Sequence, residues 1–306
     1  MVDFLVPDGF AMLERADTYL GRVTFISGEG KHCGKTTFMN RAASLVRQAE
    51  RGTKAQGLLI MTVGYDGESR DFLSGARKPS VPVFKGDYYI TAERFLRSGG
   101  SCPEIVDVLS GSSVLGRLVL VRASRDGTAA LVGPEGNAGV GWVLSRVLDS
   151  GLASTALVDG AINRITQASS RPDAQLVYAL QVDQVGAAKA ASHVKRMATL
   201  VSLSLDDGLS EDVYRLSDAL TAETAARLPK DALVVSVADF TSVFLGGSEL
   251  NAFLRERRLL VRRPIRFAGF SVVCRGIQVS AFAQMVGRSA ALLSFNPYEA
   301  HEEGAA

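Results

Sequence analysis

The sequence predicts an α/β fold, a mostly parallel sheet flanked by helices, and three observations carry that prediction. An alternating apolar run, Val23-Thr24-Phe25-Ile26, leads through a glycine-rich loop into a segment of helical periodicity. Gly57 to Val63 is a continuous apolar run, the pattern of a strand buried on both faces of a parallel sheet. Strand and helix patterns then alternate to about residue 160.

Taken in order, residues 9–20 read as a short amphipathic helix before the first strand. After the loop, Phe38, Ala42, Leu45, Val46 and Ala49 recur at helical spacing, and Gly52 ends that helix. Residues 64–90 form a polar connection punctuated by Gly and Pro, long enough to suggest a functional loop or lid. Ile105 to Leu109 reads as a strand. Arg117–Arg122 and Thr128–Val132 bracket Arg125-Asp126-Gly127, which predicts a hairpin. Gly133 to Gly139 leads into an amphipathic helix through Trp142, Val143, Val147 and Leu148. Thr155 to Val158 is a strand closing in Asp159-Gly160-Ala161. Residues 184–200 read as helix, and Ala232–Val237 and Ala291–Phe295 as further strands. There is no internal repeat and no low-complexity segment.

Bulk properties narrow the function. A chain of 306 residues with 47% hydrophobic and 22% charged residues is an ordinary globular composition. A net charge of +2 makes no electrostatic case for nucleic acid or an anionic membrane as partner. Cys33, Cys102 and Cys274 form neither a zinc pattern nor an even disulfide set, which suits a reducing cytoplasm. Met1 to Leu20 lacks a basic-then-apolar signal layout, and no apolar run approaches the ~18 residues of a membrane span.

The chemistry concentrates in Ser27-Gly28-Glu29-Gly30-Lys31-His32-Cys33-Gly34-Lys35-Thr36-Thr37. Strand, glycine-rich loop, Gly-Lys-Thr and helix is the order that a phosphate-binding loop requires. Glycines let the backbone turn its N–H groups towards anionic oxygens. Lys35 is placed to reach the β- and γ-phosphates, Thr36 to offer its hydroxyl to Mg²⁺, and the helix to add its positive end. The cofactor-binding set expected is therefore Gly28 to Thr37, holding ATP with Mg²⁺. No Asn-Lys-x-Asp motif for reading guanine is present, so ATP is the default.

Hydrolysis also needs carboxylates at the metal, and in parallel sheets these emerge at the carboxyl ends of strands. Two places qualify. Asp66 and Glu68 follow the second strand, where Asp66 could serve the metal or simply cap a turn. Asp159 closes an apolar strand in the Walker B manner. Lys35, Asp66 and Asp159 are the expected catalytic residues, with Thr36, Asp66 and Asp159 on the metal. Lys31 could touch phosphate from the side, His32 reads as a loop surface residue, and Cys33 beside a helix N-terminus is open to oxidation. Gly133 to Gly141 could form a second anion-binding nest or a plain loop. Arg255-Glu256-Arg257-Arg258 with Arg262-Arg263 reads as a solvated face or a partner contact.

Between Gly28 and the Gly34-Lys35 pair lie five residues, one more than in the common phosphate loop. The longer loop resembles that of dethiobiotin synthetase and its relatives in the signal-recognition/MinD class of P-loop proteins. Asp159-Gly160-Ala161 is similar to the Glu-Gly-Ala-Gly-Gly of dethiobiotin synthetase, departing at Ile162 and Asn163. Lys78-Pro79 is similar to a Lys-Pro in that family whose lysine belongs to the active site. The position of the second lysine that marks the MinD branch is occupied here by Gly30.

A narrower resemblance rests on the loop, Asp66-Gly67-Glu68, Leu131-Val132-Gly133-Pro134, Val158 to Arg164, and Asn296-Pro297. These look like the ATPase subunit of the lysine 5,6-aminomutase reactivase. The pattern along the chain divides it into a P-loop nucleotide-binding domain over 1–205 and a C-terminal α/β continuation or subdomain over 206–306, with Asp206-Asp207-Gly208 at the seam; the resemblance covers most of residues 22–165. It implies ATP hydrolysis coupled to reactivation of a cobalamin-dependent aminomutase, together with a MutS-like ATPase partner. The alternative is a dethiobiotin synthetase-like ligase or small-molecule kinase. Lys78, Lys85 and Arg164, the candidate acceptor-binding groups, do not separate the two.

Overall fold

The computed structural model describes residues 12–28, 33–50, 57–64, 81–113, 115–160, 171 and 173–295. In chain order these form β1 (Val23–Gly28), α1 (Lys35–Glu50), β2 (Gly57–Thr62), β3 (Val81–Val83), β4 (Tyr88–Ala92), β5 (Pro103–Ser113), β6 (Gly116–Ala123) and β7 (Gly127–Ala129). Then come α2 (Asn137–Leu144), β8 (Ala153–Asp159), β9 (Ala174–Asp183), α3 (Ala187–Val201), β10 (Ser204–Leu205), β11 (Val213–Arg215) and α4 (Ala222–Ala226). The last elements are β12 (Val234–Val237), α5 (Gly247–Glu256), β13 (Arg258–Val261), β14 (Arg266–Arg275), α6 (Val279–Val286) and β15 (Leu293–Phe295).

Nine strands make one sheet in the order β15-β14-β9-β1-β8-β2-β4-β6-β5. Pairing is parallel from β15 through β4 and antiparallel for β6 and β5 at one edge. The mostly parallel α/β architecture expected from the sequence is therefore present. β1 lies in the interior, and its residues Val23 to Ser27 are all buried.

The pleat divides the side chains between two cores. Ile26, Leu58, Ile60, Leu157 and Val177 point to the face covered by α1, against Phe38, Met39, Ala42 and Val46. Phe25, Leu59, Val158, Leu176 and Phe270 point to the other face, against Val140 of α2, Val194 of α3 and Phe282 of α6. Both faces are covered, so the strands read as near-continuous apolar runs.

A second sheet, all parallel, has the order β10-β13-β12-β11. It starts at Ser204, beside the seam read at Asp206, and its apolar residues Val235, Val237, Leu259 and Val261 join the α3-side core. After β13 the chain returns to the large sheet as β14 and β15. The region after residue 205 is thus shared between the two sheets.

Two expectations need correction. The helix read over 9–20 is, from residue 12 on, a pair of 3₁₀ turns, Met12–Glu14 and Ala16–Thr18. Backbone bonds there run three residues back, Arg15 N–H to Met12 O at 3.3 Å, Thr18 N–H to Arg15 O at 3.2 Å and Tyr19 N–H to Ala16 O at 2.9 Å, where an α-helix bonds four back. The Tyr19 hydroxyl donates to the Leu13 carbonyl at 2.6 Å across the turns. The hairpin read over 117–132 does not form. β6 is already paired on both sides, by β4 and β5, so β7 has no free edge there and pairs with β3 instead. The hairpin lies one strand earlier, β5 to β6, where Ser113 pairs with Gly116.

Candidate phosphate-binding site

β1 ends at Gly28 on the carboxyl edge of the large sheet and α1 begins at Lys35, with Gly28, Cys33 and Gly34 the described part of the loop between them. Its first residue is wedged. A Cβ at Gly28 would lie 2.5 Å from the Ala179 carbonyl oxygen and 2.6 Å from Cys33 Sγ. Gly34 has φ +90°, in the region that favours glycine, and its carbonyl accepts the Phe38 N–H at 2.9 Å as α1 starts. Glycine is therefore built into both described ends of the loop, by close approach at one and by backbone conformation at the other. Cys33 is buried, and Lys35 Nζ donates to its Sγ at 3.7 Å. Thr36 is half-buried and Thr37 exposed in the first turn of α1.

Asp159 sits next to this loop. β8 pairs directly with β1, with Ile26 opposite Asp159, and with β2, with Thr62 opposite Asp159. Register partners in a parallel pair share a face, and the alternation from Leu157 puts Asp159 on the α1 face. Its side chain is 7% exposed between Ile26 and Thr62. The strand ends are locked: Gly160 N–H donates to Ile26 O at 3.0 Å and Val63 N–H to Asp159 O at 2.8 Å. An acid on the same edge, face and neighbouring strand as the Lys35–Thr36 turn is a site that suits a phosphate-bound Mg²⁺. Such an ion takes one or two carboxylates and leaves its other positions to phosphate and water. Among the described residues, no group of three or more His, Cys, Asp or Glu converges as a self-sufficient metal cage.

The Gly133 loop packs against the same edge. A Cβ at Gly133 would fall 1.5 Å from the Thr62 carbonyl oxygen, so the loop crosses the end of β2 backbone to backbone. Gly64 N–H donates to Pro134 O at 2.8 Å and Gly133 N–H to Gly64 O at 3.3 Å. Gly133 thus spends its N–H on the Gly64 carbonyl just past β2, and from Asn137 the segment is α2. The loop buttresses the strand that leads into the Asp66 connection.

Glu29, Gly30, Lys31, His32, Asp66, Glu68, Lys78 and Arg164 lie outside the described residues, as do Ile162, Asn163 and Asn296-Pro297. Lys85 is described and lies elsewhere, in the turn before β4, where its N–H donates to Asp126 Oδ1 at 2.9 Å. The basic cluster is structural in part. Arg257 donates to the carbonyls of Pro229 and Ala232, at 2.9 and 2.8 Å, and Arg262 to those of Ser236 and Leu216, at 3.0 and 2.9 Å.

Sequence reasoning missed the other wall of the site. β9 and β14 continue past the start of the loop: Gly28 is level with Ala179, and the pair runs on to Asp183 and Arg275. Val273 Cγ2 would stand 3.0 Å from a Cβ on Gly34, so the C-terminal third supplies part of the floor. The signal was available in Leu176-Val177-Tyr178-Ala179-Leu180 and Phe270-Ser271-Val272-Val273, two apolar runs of buried-strand type. Comparison with protein families, curated proteins and solved structures returns no match. Among the described residues no helix is long and apolar enough to cross a membrane.

Proposed function

We propose that the chain is a P-loop ATPase that binds Mg-ATP at the Gly28–Thr37 loop and couples hydrolysis to remodelling of a partner enzyme, of the cobalamin-dependent aminomutase type. The observation that supports this reading is the juxtaposition of Lys35-Thr36, opening α1, with the buried Asp159 on the adjacent strand and the same face. Lys35 would hold the β- and γ-phosphates, and Thr36 and Asp159 the metal. Bound Mg²⁺ would supply charge neutralisation at the transferring phosphoryl group. Asp66 would complete the site from the connection after β2. The partner assignment rests on the resemblance of the motifs to the reactivase ATPase.

Calorimetric titration with Mg-ATP tests the site. Lys35→Ala removes a charge-assisted contact and should weaken binding by roughly 1.5–3 kcal/mol. Asp159→Asn should lower turnover far more than nucleotide affinity. Equal affinity of Lys35→Ala and wild type removes the site. Turnover that rises with a MutS-like partner and an aminomutase supports the remodelling reading, because the groups that position water are then completed by docking. Turnover that rises only with a small carboxylate or amine, with product of shifted mass, replaces it by the ligase.

A further inference from the structure

A cleft of about 750 Å³ opens at the opposite edge of the large sheet. It is bounded by Gly57 and Tyr88, the first residues of β2 and β4, and by one side of α1 from Asn40 to Glu50. The phosphate loop is at the other end of that helix. From Lys35, the lining residues Asn40 to Glu50 lie about 8 to 22 Å along α1 at 1.5 Å rise per residue.

The inner wall is a satisfied ion pair. Asp87 Oδ2 accepts Arg47 Nη2 at 2.6 Å, Arg47 Nε at 3.1 Å and the Phe84 N–H at 2.8 Å. Both side chains are largely buried, and the Arg47 guanidinium stacks 4.4 Å above the Phe84 ring. Burial pushes the Asp87 carboxyl up, with Arg47 opposing it, and burial together with Asp87 raises Glu50. These groups are committed to the fold.

The outer wall is different. Lys85 and Arg122 also line the cleft, and neither side-chain cation makes an ion pair among the described residues. Arg122 lies over the Tyr88 ring at 5.9 Å, and Phe84, 40% exposed, offers an apolar surface beside them. Across the cleft on α1, the Asn40 side-chain oxygen is buried with no hydrogen-bond partner. Asp126, also on the lining, accepts the Lys85 backbone N–H.

Two cations outside any ion pair among the described residues, one of them over the Tyr88 ring, beside the exposed Phe84 on an open cleft, are the elements of a small-molecule site. We propose that this cleft binds a small organic anion, a carboxylate or phosphate on a ring-sized apolar body, held by Lys85 and Arg122 with the body on Phe84. The site is separate from the phosphate loop and does not depend on it.

Phenyl phosphate and benzoate serve as probes, with benzylamine as the cationic counterpart, in calorimetric titration of the full chain. Deuterium exchange locates the bound probe. Saturable binding of at least one anion is expected, with protection over residues 82–90 and 117–123. Lys85→Gln with Arg122→Gln should weaken it at least tenfold. Lys35→Ala should leave it unchanged, which separates this site from the phosphate loop. Both substituted residues are exposed, so the double variant should keep the wild-type melting temperature. The proposal is overturned if neither anion binds, or if benzylamine binds as well as they do. It is equally overturned if the double variant binds normally, or if protection falls on residues 33–36.

Discussion

The large, mostly parallel sheet and the small parallel sheet close their carboxyl edges in opposite ways. On the large sheet the edge is made by backbone meeting backbone: Gly28 against Ala179 and Gly133 against Thr62. On the small sheet it is made by side chains. Asp206, at the end of β10, accepts Arg215 Nε at 3.0 Å and Arg263 reaches Asp239 at 3.3 Å, while Arg262 bonds the carbonyls of Ser236 and Leu216. Arginine spans the gaps between those strands and uses up their acceptors. Glycine instead lets backbone approach backbone closely at the large edge. The topological position that binds ligands in open α/β sheets is therefore closed by side chains in one sheet and by backbone contacts in the other.

The sharpest way to break this contrast is Gly133→Ala. The added methyl falls on the Thr62 carbonyl, where no side chain can swing aside, and should cost about 3 kcal/mol, read as a lower urea midpoint. Nucleotide affinity should fall with it, since the Gly64–Pro134 tie beside Asp159 moves. A variant with wild-type stability would show that this crossing is looser than the geometry implies.

Arg262→Met probes the filled edge. The Leu216 carbonyl loses its side-chain donor and the Ser236 carbonyl keeps only the Leu216 N–H, which should destabilise by roughly 1–3 kcal/mol while leaving Mg-ATP affinity unchanged. A loss of affinity equal to that of Gly133→Ala would merge the two edges into one functional unit.

The smallest effect should appear in acid. Arg215 beside Asp206 holds its carboxyl down at about 2, below the ordinary aspartate value of about 3.9. A group depressed in the folded state contributes stability above its unfolded value and loses it as pH falls towards the folded one. The wild-type unfolding midpoint should therefore drop between about pH 4 and pH 2, and Asp206→Asn should flatten that limb. An unchanged limb would mean that the pair persists in the unfolded chain.

Much of the large sheet was legible because its strands are buried on both faces and therefore print as unbroken apolar runs, as in Leu58-Leu59-Ile60-Met61. The glycine loop was legible because steric demands leave few residue choices. The pairing partners were not legible. Nothing local in Gly127-Thr128-Ala129 tells that β6 is already flanked, since that depends on β4 and β5 closing around it. Tyr19 misled for a related reason: its ring supports an amphipathic helix in sequence, whereas its hydroxyl tethers a turn in three dimensions. Arg257 and Arg262 carried the pattern of a solvated charge run, yet their donors are consumed by carbonyls whose positions exist only after β12 and β13 align.

The return of β14 to the large sheet has a consequence for synthesis. Val273 packs under Gly34, although the two are almost the length of the chain apart. At roughly 5–20 residues per second, Val273 leaves the ribosome on the order of ten to fifty seconds after Gly34. Throughout that interval β9 lacks its outer neighbour, and an edge rich in valine and leucine stands open to other nascent chains. The small sheet is made during this wait. Its compact, arginine-pinned form would let it fold early and hold the chain near the gap until the last strands arrive to close it.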